Sequence, residues 1–145
     1  MLKARKVVLM REDIPKIGVG VIVVNKDGRI LAGKRINSHG AGTWAFPGGR
    51  LEEGESVFEC ARREALEEAG IKINNLRAAT FTEDDFGDGK KFVTLFVSSE
   101  LEPGEPKTME PLKCEGWHWF NWSEIPQPRF LPLQHLFEHG FNPFK

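Results

Sequence analysis

Glu64, Glu67 and Glu68 stand at i, i+3 and i+4 in a stretch that reads as helix, which places three carboxylates on one face. Like charges at those spacings repel and cost an isolated helix a few tenths of a kcal/mol per pair. A chain that accumulates them needs a counter-charge, and a hard divalent cation that takes oxygen ligands from protein, water and phosphate is the natural one. The helix is well bounded. Ser56 is the N-cap candidate, Glu59 completes a capping box, and Gly70 is a stop. Acidic runs on helices are usually no more than solvated faces. Here three features argue otherwise: a Gly48-Gly49 turn at fixed distance before the helix, Glu55 near its start, and Arg63 placed to pair with Glu59 or Glu67.

The rest of the chain supplies strands around that helix. Ile17 to Val24 is β-branched and glycine-rich, a buried strand, and Asn25-Lys26-Asp27-Gly28 turns it back into Arg29 to Arg35. After Trp44-Ala45-Phe46, the glycines of Pro47-Gly48-Gly49 are expected to take positive φ and let backbone approach a ligand. Further strands are expected over Leu76–Phe81, Phe92–Val97 and Gly116–Trp122, with Glu83 to Lys91 as a polar hairpin loop and Leu131 to His139 as a terminal helix. Val57, Cys60, Ala61, Ala65 and Leu66 are expected to form the apolar face of the long helix. Strands on both sides of one strong helix predict an α+β fold, a mixed β-sheet between helices, as one domain over residues 1–145 with 1–15 as an extension or edge strand.

Charge narrows the partners. With 20 basic and 21 acidic residues the net charge is −1, so no global field attracts a nucleic-acid polymer. No apolar run reaches the roughly 18 residues of a membrane span, and no signal-peptide region is expected. Cys60 and Cys114 match no metal pattern and read as reduced thiols of a cytoplasmic protein. His39, His118, His135 and His139 have no metal-site spacing and read as structural.

Gly49, Glu55, Arg63, Glu64, Glu67, Glu68, Gly70 and Ile71 together match the Nudix box, G-x5-E-x7-R-E-U-x-E-E-x-G-U with U apolar, and the chain resembles that family. Ala65 departs from it, standing where Leu, Ile or Val is usual, which is expected to soften packing under the loop. Gly33-Lys34-Arg35, Met109-Glu110-Pro111, Cys114-Glu115-Gly116-Trp117 and the ending Gly140 to Phe144 resemble the branch of plant Nudix type 1 hydrolases and animal Nudix type 15 nucleotide triphosphate diphosphatases. The likeness extends from Ile17 to Phe144 and implies an α/β/α sandwich that hydrolyses a nucleoside diphosphate linked to another group. In that branch the substrates are nucleoside triphosphates, oxidised dGTP among them, or geranyl diphosphate in some plant members. It also implies a homodimer, formed through the apolar first strand and loop.

The resemblance implies a Mg²⁺ site, with Mn²⁺ as substitute, formed by Glu64, Glu67 and Glu68 with a Gly48 or Gly49 carbonyl and Glu110 or Glu115 from a later loop. Glu67 or Glu64 would take the proton of the attacking water, and Arg63 would orient the carboxylates. Arg35 is the candidate phosphate clamp, Lys34 a weaker one. Thr94, Phe130, Leu131 and Leu133 are the candidates for the organic group, Thr94 equally readable as a satisfied core hydroxyl. Related members carry an aromatic where Leu131 stands, and its loss is expected to loosen the grip on a flat ring. Pro132 brings no N–H to the base edge. The expected activity is Mg²⁺-dependent cleavage of purine deoxynucleoside triphosphates to monophosphate and pyrophosphate. The rivals are an isoprenyl diphosphate hydrolase and a Nudix-fold binding module without catalysis, which would be expected to lose box carboxylates that this chain keeps.

Overall fold

The computed structural model describes residues 14–37 and 39–145. The extension expected over residues 1–15 lies outside the described residues, apart from Ile14 and Pro15, which precede the first strand. In chain order the elements are β1 (Lys16–Val24), β2 (Ile30–Arg35), β3 (Trp44–Ala45), β4 (Gly48–Arg50), α1 (Val57–Ala69), β5 (Ile73–Asp85), β6 (Lys91–Leu101), β7 (Cys114–Phe120), a 3₁₀ turn (Trp122–Glu124) and α2 (Leu131–Glu138).

The sheet is mixed, with order β3-β2-β1-β6-β5; β4 also pairs with β1, and β7 with β2. β1 lies parallel to β6 and antiparallel to β2 and β4. It is therefore hydrogen-bonded within the chain on both sides. Alternation along β1 sends its side chains to two cores. Val19, Val21 and Val23 meet Cys60, Ala61, Ala65 and Ala69 of α1. Ile22 meets Leu133 and Leu136 of α2 on the opposite face, together with Ile30, Phe96 and Ile125. The architecture is the α/β/α sandwich expected from sequence.

Small residues line the buried side of α1, so the helix lies close on the sheet. Ala65 is fully buried in that contact, whereas Leu66 is 52% exposed, so Leu66 is not part of the packed face. Ser56 caps the helix by accepting from Glu59 N–H at 3.1 Å, and Gly70 ends it at φ 63°. No helix among the described residues is long and apolar enough to cross a membrane.

The β5–β6 hairpin is longer than its sequence suggests. Glu83, Asp84 and Asp85 pair with Val93, Phe92 and Lys91, and only residues 86–90 turn. Asp84 sits inside because polar partners await it there; Glu83 and Asp85 alternate outward. β7 likewise starts and ends two residues earlier than expected, at Cys114 and Phe120.

Candidate active site

Arg63 organises the acidic face. Its Nε and Nη2 donate to Glu55 Oε2 and Oε1 at 2.6 and 3.0 Å, a bidentate pair; its Nη1 donates to Glu64 Oε1 at 2.6 Å and to Glu67 Oε2 at 3.2 Å. Nη2 also reaches the Arg50 carbonyl at 3.2 Å. The expected pairing with Glu67 is present, and Glu55 and Glu64 take the part expected of Glu59. The guanidinium, held chiefly by the Glu55 hydrogen bonds, has its pKa raised, while Arg63 holds Glu55 down at about 2.

Glu64 and Glu68 lie deeper. Burial raises the pKa of Glu64 against the pull of Arg63. Burial also pushes Glu68 up to about 8, with Glu64 and Glu110 adding to the rise and the Gly48 N–H and Arg35 opposing it. Glu68 Oε1 accepts from Gly48 N–H at 2.9 Å, and its backbone carbonyl accepts from Trp117 Nε1 at 3.1 Å. Carboxylates forced together away from water are short of positive charge, and that is the donor set a hard cation satisfies.

Gly48 and Gly49 serve this arrangement through space rather than through φ. Both lie in β4, neither is among the positive-φ glycines, and the expected left-handed turn is absent there. A Cβ on Gly49 would stand 2.6 to 2.9 Å from the Glu64 carboxyl atoms, and one on Gly48 would stand 2.3 Å from the Val19 carbonyl oxygen. Only bare backbone lets the helix carboxylates lie against the strand.

These groups line a cleft of about 320 Å³ with Arg35, Glu67, Glu110, Lys113 and Cys114. It shares Arg35, Ala45, Phe46, Gly48 and Gly49 with a second, more apolar pocket of about 390 Å³. Arg35 thus stands at the junction. It follows Gly33 by two residues on β2 and so faces the cleft with it, its Nε donates to His39 O at 2.7 Å, and its guanidinium lies 4.2 Å over the Phe130 ring. Burial lowers the Arg35 pKa, opposed by Glu68 and Cys114.

Several sequence candidates fall elsewhere. Lys34 alternates away from Gly33 and Arg35 and does not line the cleft. Glu110 faces the cleft beside Lys113, whereas Glu115 is exposed outside it. Phe130, Pro132, Leu133 and Thr94 line the apolar pocket, but Leu131 does not. The ring missing at Leu131 is supplied from another element. Phe86, at the hairpin turn, lies 5.5 Å from Phe130 and 5.7 Å from Phe92, and His39 completes the rim 4.3 Å from Phe86. Sequence reading missed Phe86 and the role of His39, since neither has local spacing that points to the pocket.

Among the described residues, no three His, Cys, Asp or Glu side chains are already gathered around a common point as a metal would hold them. The geometry says why. Glu64 and Glu67 turn toward Arg63 and Glu68 toward the Gly48 N–H, so an ion must compete for those oxygens.

The match to known proteins is decided by the whole domain: the family model for the NUDIX domain matches residues 14–139. The chain belongs to the Nudix family. A MutT Nudix hydrolase from Burkholderia pseudomallei has the same fold, with a TM-score of 0.79 and 32% identity over 86% of this chain and 97% of that one. Nudix hydrolase 6 of Arabidopsis thaliana is 32% identical over 130 residues; the match takes in 88% of this chain but only 42% of that protein's length. The oxidized purine nucleoside triphosphate hydrolase of Danio rerio is 32% identical over 112 residues, 73% of this chain and 67% of that protein. Other relatives are named RNA pyrophosphohydrolase. The protein is a Nudix pyrophosphohydrolase of MutT-like type, a family that generally uses a divalent metal.

Proposed function

We propose that this Nudix enzyme hydrolyses purine deoxynucleoside triphosphates, dGTP and its 8-oxo form included, to monophosphate and pyrophosphate with Mg²⁺. The observation that carries the reading is the joined cleft: an acidic chamber continuous with an aromatic-rimmed pocket, and Arg35 between them. A triphosphate needs cationic support at one end and a stacking surface at the other. The likeness to an oxidized purine nucleoside triphosphate hydrolase agrees with it.

Glu64, Glu67 and Glu68 would hold Mg²⁺ (or Mn²⁺), with Glu110 and a Gly48 or Gly49 carbonyl as further oxygens. The bound ion would neutralise phosphate charge and polarise the reacting phosphorus. Arg35 would grip phosphate oxygens with the Nη groups left over from its bond to His39. Glu67, the most exposed of the three and tied only by a 3.2 Å bond to Arg63, suits the proton acceptor for attacking water. Arg63 would act through the carboxylates, keeping their rotamers fixed.

The reading is tested by pyrophosphate release from dGTP with and without Mg²⁺; release of phosphate alone overturns it. Competition with geranyl diphosphate in the same assay tests the isoprenyl alternative. A homodimer is proposed from the branch likeness, and light scattering checks it. With β1 paired on both sides, its backbone offers no free edge for that association.

A further inference from the structure

The chain as a whole is close to neutral, yet its charges are sorted around the joined cleft. The acidic chamber gathers Glu64, Glu67, Glu68 and Glu110. The apolar pocket is lined by Lys16, Arg35, Arg50 and Lys90, and by no carboxylate among the described residues. Arg35 belongs to both cavities, whereas Lys16, Arg50 and Lys90 do not line the chamber. Among the described residues none of these three stands in an ion pair.

Two strands and a turn bring them to one mouth. Lys16, Gly18 and Gly20 share a face of β1, with Phe92, Thr94 and Phe96 of β6 in register beside them. The floor is bare at the glycines, and a Cβ on Gly20 would stand 2.8 Å from the Phe96 ring. From buried Gly20 to exposed Lys16 the floor runs four residues of strand, about 13 Å. Arg50 ends β4 opposite Gly18 and holds its guanidinium 5.6 Å from the centre of the Phe92 ring, which orients it at the mouth. Lys90 closes the turn that carries Phe86. The pKa of His39 is lowered by burial, then by Arg35 and Lys90, so the Lys90 charge is felt at the same rim.

In the nucleotide reading, the 5′ phosphates would face the glutamates and Arg35, and the base would lie among the aromatic rings. The 3′ side of the sugar is then left for the mouth. A hydroxyl there asks for no cation, whereas three cationic side chains without carboxylate partners suit a phosphate.

We propose that Lys16, Arg50 and Lys90 form a second anion subsite, which takes a phosphate carried on the 3′ side of the substrate's sugar. The proposal rests on the nucleotide reading of the site and deepens it, because the favoured substrate then bears phosphate on both sides of the nucleoside. One chemistry has two sources here: the monoester of a 3′-phosphorylated deoxynucleoside triphosphate, or the first diester of a 5′-triphosphorylated oligonucleotide.

The test follows pyrophosphate release with Mg²⁺ from dGTP, from 3′-phosphorylated dGTP and from a 5′-triphosphorylated dinucleotide that begins with deoxyguanosine. Wild type is expected to prefer a 3′-phosphorylated substrate over dGTP by about tenfold in kcat/KM, through KM, and the better of the two names the source. The preference shrinks as salt screens the exposed charges. The double variant K16Q, K90Q brings the ratio close to one, and K16R, K90R, which keeps both charges, retains it. Calorimetry in metal-free buffer reads the same ratio for deoxyguanosine 3′,5′-bisphosphate against the 5′-monophosphate. A wild type without the preference overturns the proposal. So does a folded K16Q, K90Q that weakens all substrates alike and keeps the ratio, since the lysines would then serve the 5′ phosphates. Absence of pyrophosphate release from every triphosphate strikes the functional reading instead, and the calorimetric ratio still judges the subsite.

Discussion

Arg63 grips Glu55 through two parallel hydrogen bonds, Nε to Oε2 and Nη2 to Oε1, while its third nitrogen holds Glu64 and Glu67. One guanidinium thus ties the loop before α1 to two carboxylates of the cleft. Lysine cannot reproduce the fork. Arg63→Lys is expected to lower kcat about 10- to 100-fold through disorder of the glutamates, with KM little changed. Steady-state kinetics beside a thermal melt check this; unchanged kcat in a folded variant would remove Arg63 from the machinery.

The space over Gly49 belongs to the Glu64 carboxylate. Gly49→Ala would drive a Cβ to within 2.6 Å of it and displace the carboxylate, with no φ strain to confuse the result. The expected outcome is a rise in the Mg²⁺ concentration needed for half-maximal activity, with the circular dichroism spectrum retained. Mg²⁺ titration of the variant measures it.

Glu68 gives the metal-free protein a pH dependence of definite sign. Its carboxyl, near 4.5 ordinarily, is pushed up to about 8 by burial, so between those values the folded state holds a proton that the unfolded chain has released. Stability from this group is complete below about 4.5 and is lost as pH rises toward 8. Glu64, also raised by burial, acts in the same direction. Glu55, held at about 2 by Arg63, acts oppositely and weakens the fold only as pH falls below its ordinary range. Melting temperature in EDTA is therefore expected to fall from pH 6 to pH 8.5. Mg²⁺ is expected to restore it most at the higher pH, and Glu68→Gln to flatten the slope.

Phe86 closes the aromatic rim against Phe130 and Phe92. Phe86→Ala is expected to raise KM for a purine triphosphate about tenfold, the scale of one lost base–aromatic stack, while kcat stays near wild type. Substrate-saturation curves check it.

The acidic face, its Gly-Gly approach, Arg63 and the caps at Ser56 and Gly70 were legible because each is set by spacing within one short stretch. The strands were legible in kind and blurred at their ends. What sequence could not show depends on register between distant strands. Asp84 sits in an acidic run that reads as a solvated loop, and only its pairing opposite Phe92, with Thr82, Thr94 and His135 around it, makes it a buried acceptor. Phe86 is hidden in the same run. Glu110 and Glu115 are alike in sequence; the fold turns only the first toward the cleft. Gly48 and Gly49 were expected to be needed for φ, and the structure shows that they are needed for contact.

The central claim is that the glutamates of α1 act with a divalent ion on the phosphates of a nucleotide seated in the adjoining pocket. Single-turnover hydrolysis of dGTP by wild type and Glu67→Gln, with and without Mg²⁺, tests it most directly. The expected result is pyrophosphate and dGMP in equal amounts from wild type only with the ion, and a rate lower by orders of magnitude in a variant that melts normally. Inorganic phosphate as the product, ion-independent turnover, or a folded Glu67→Gln enzyme with undiminished rate would contradict it.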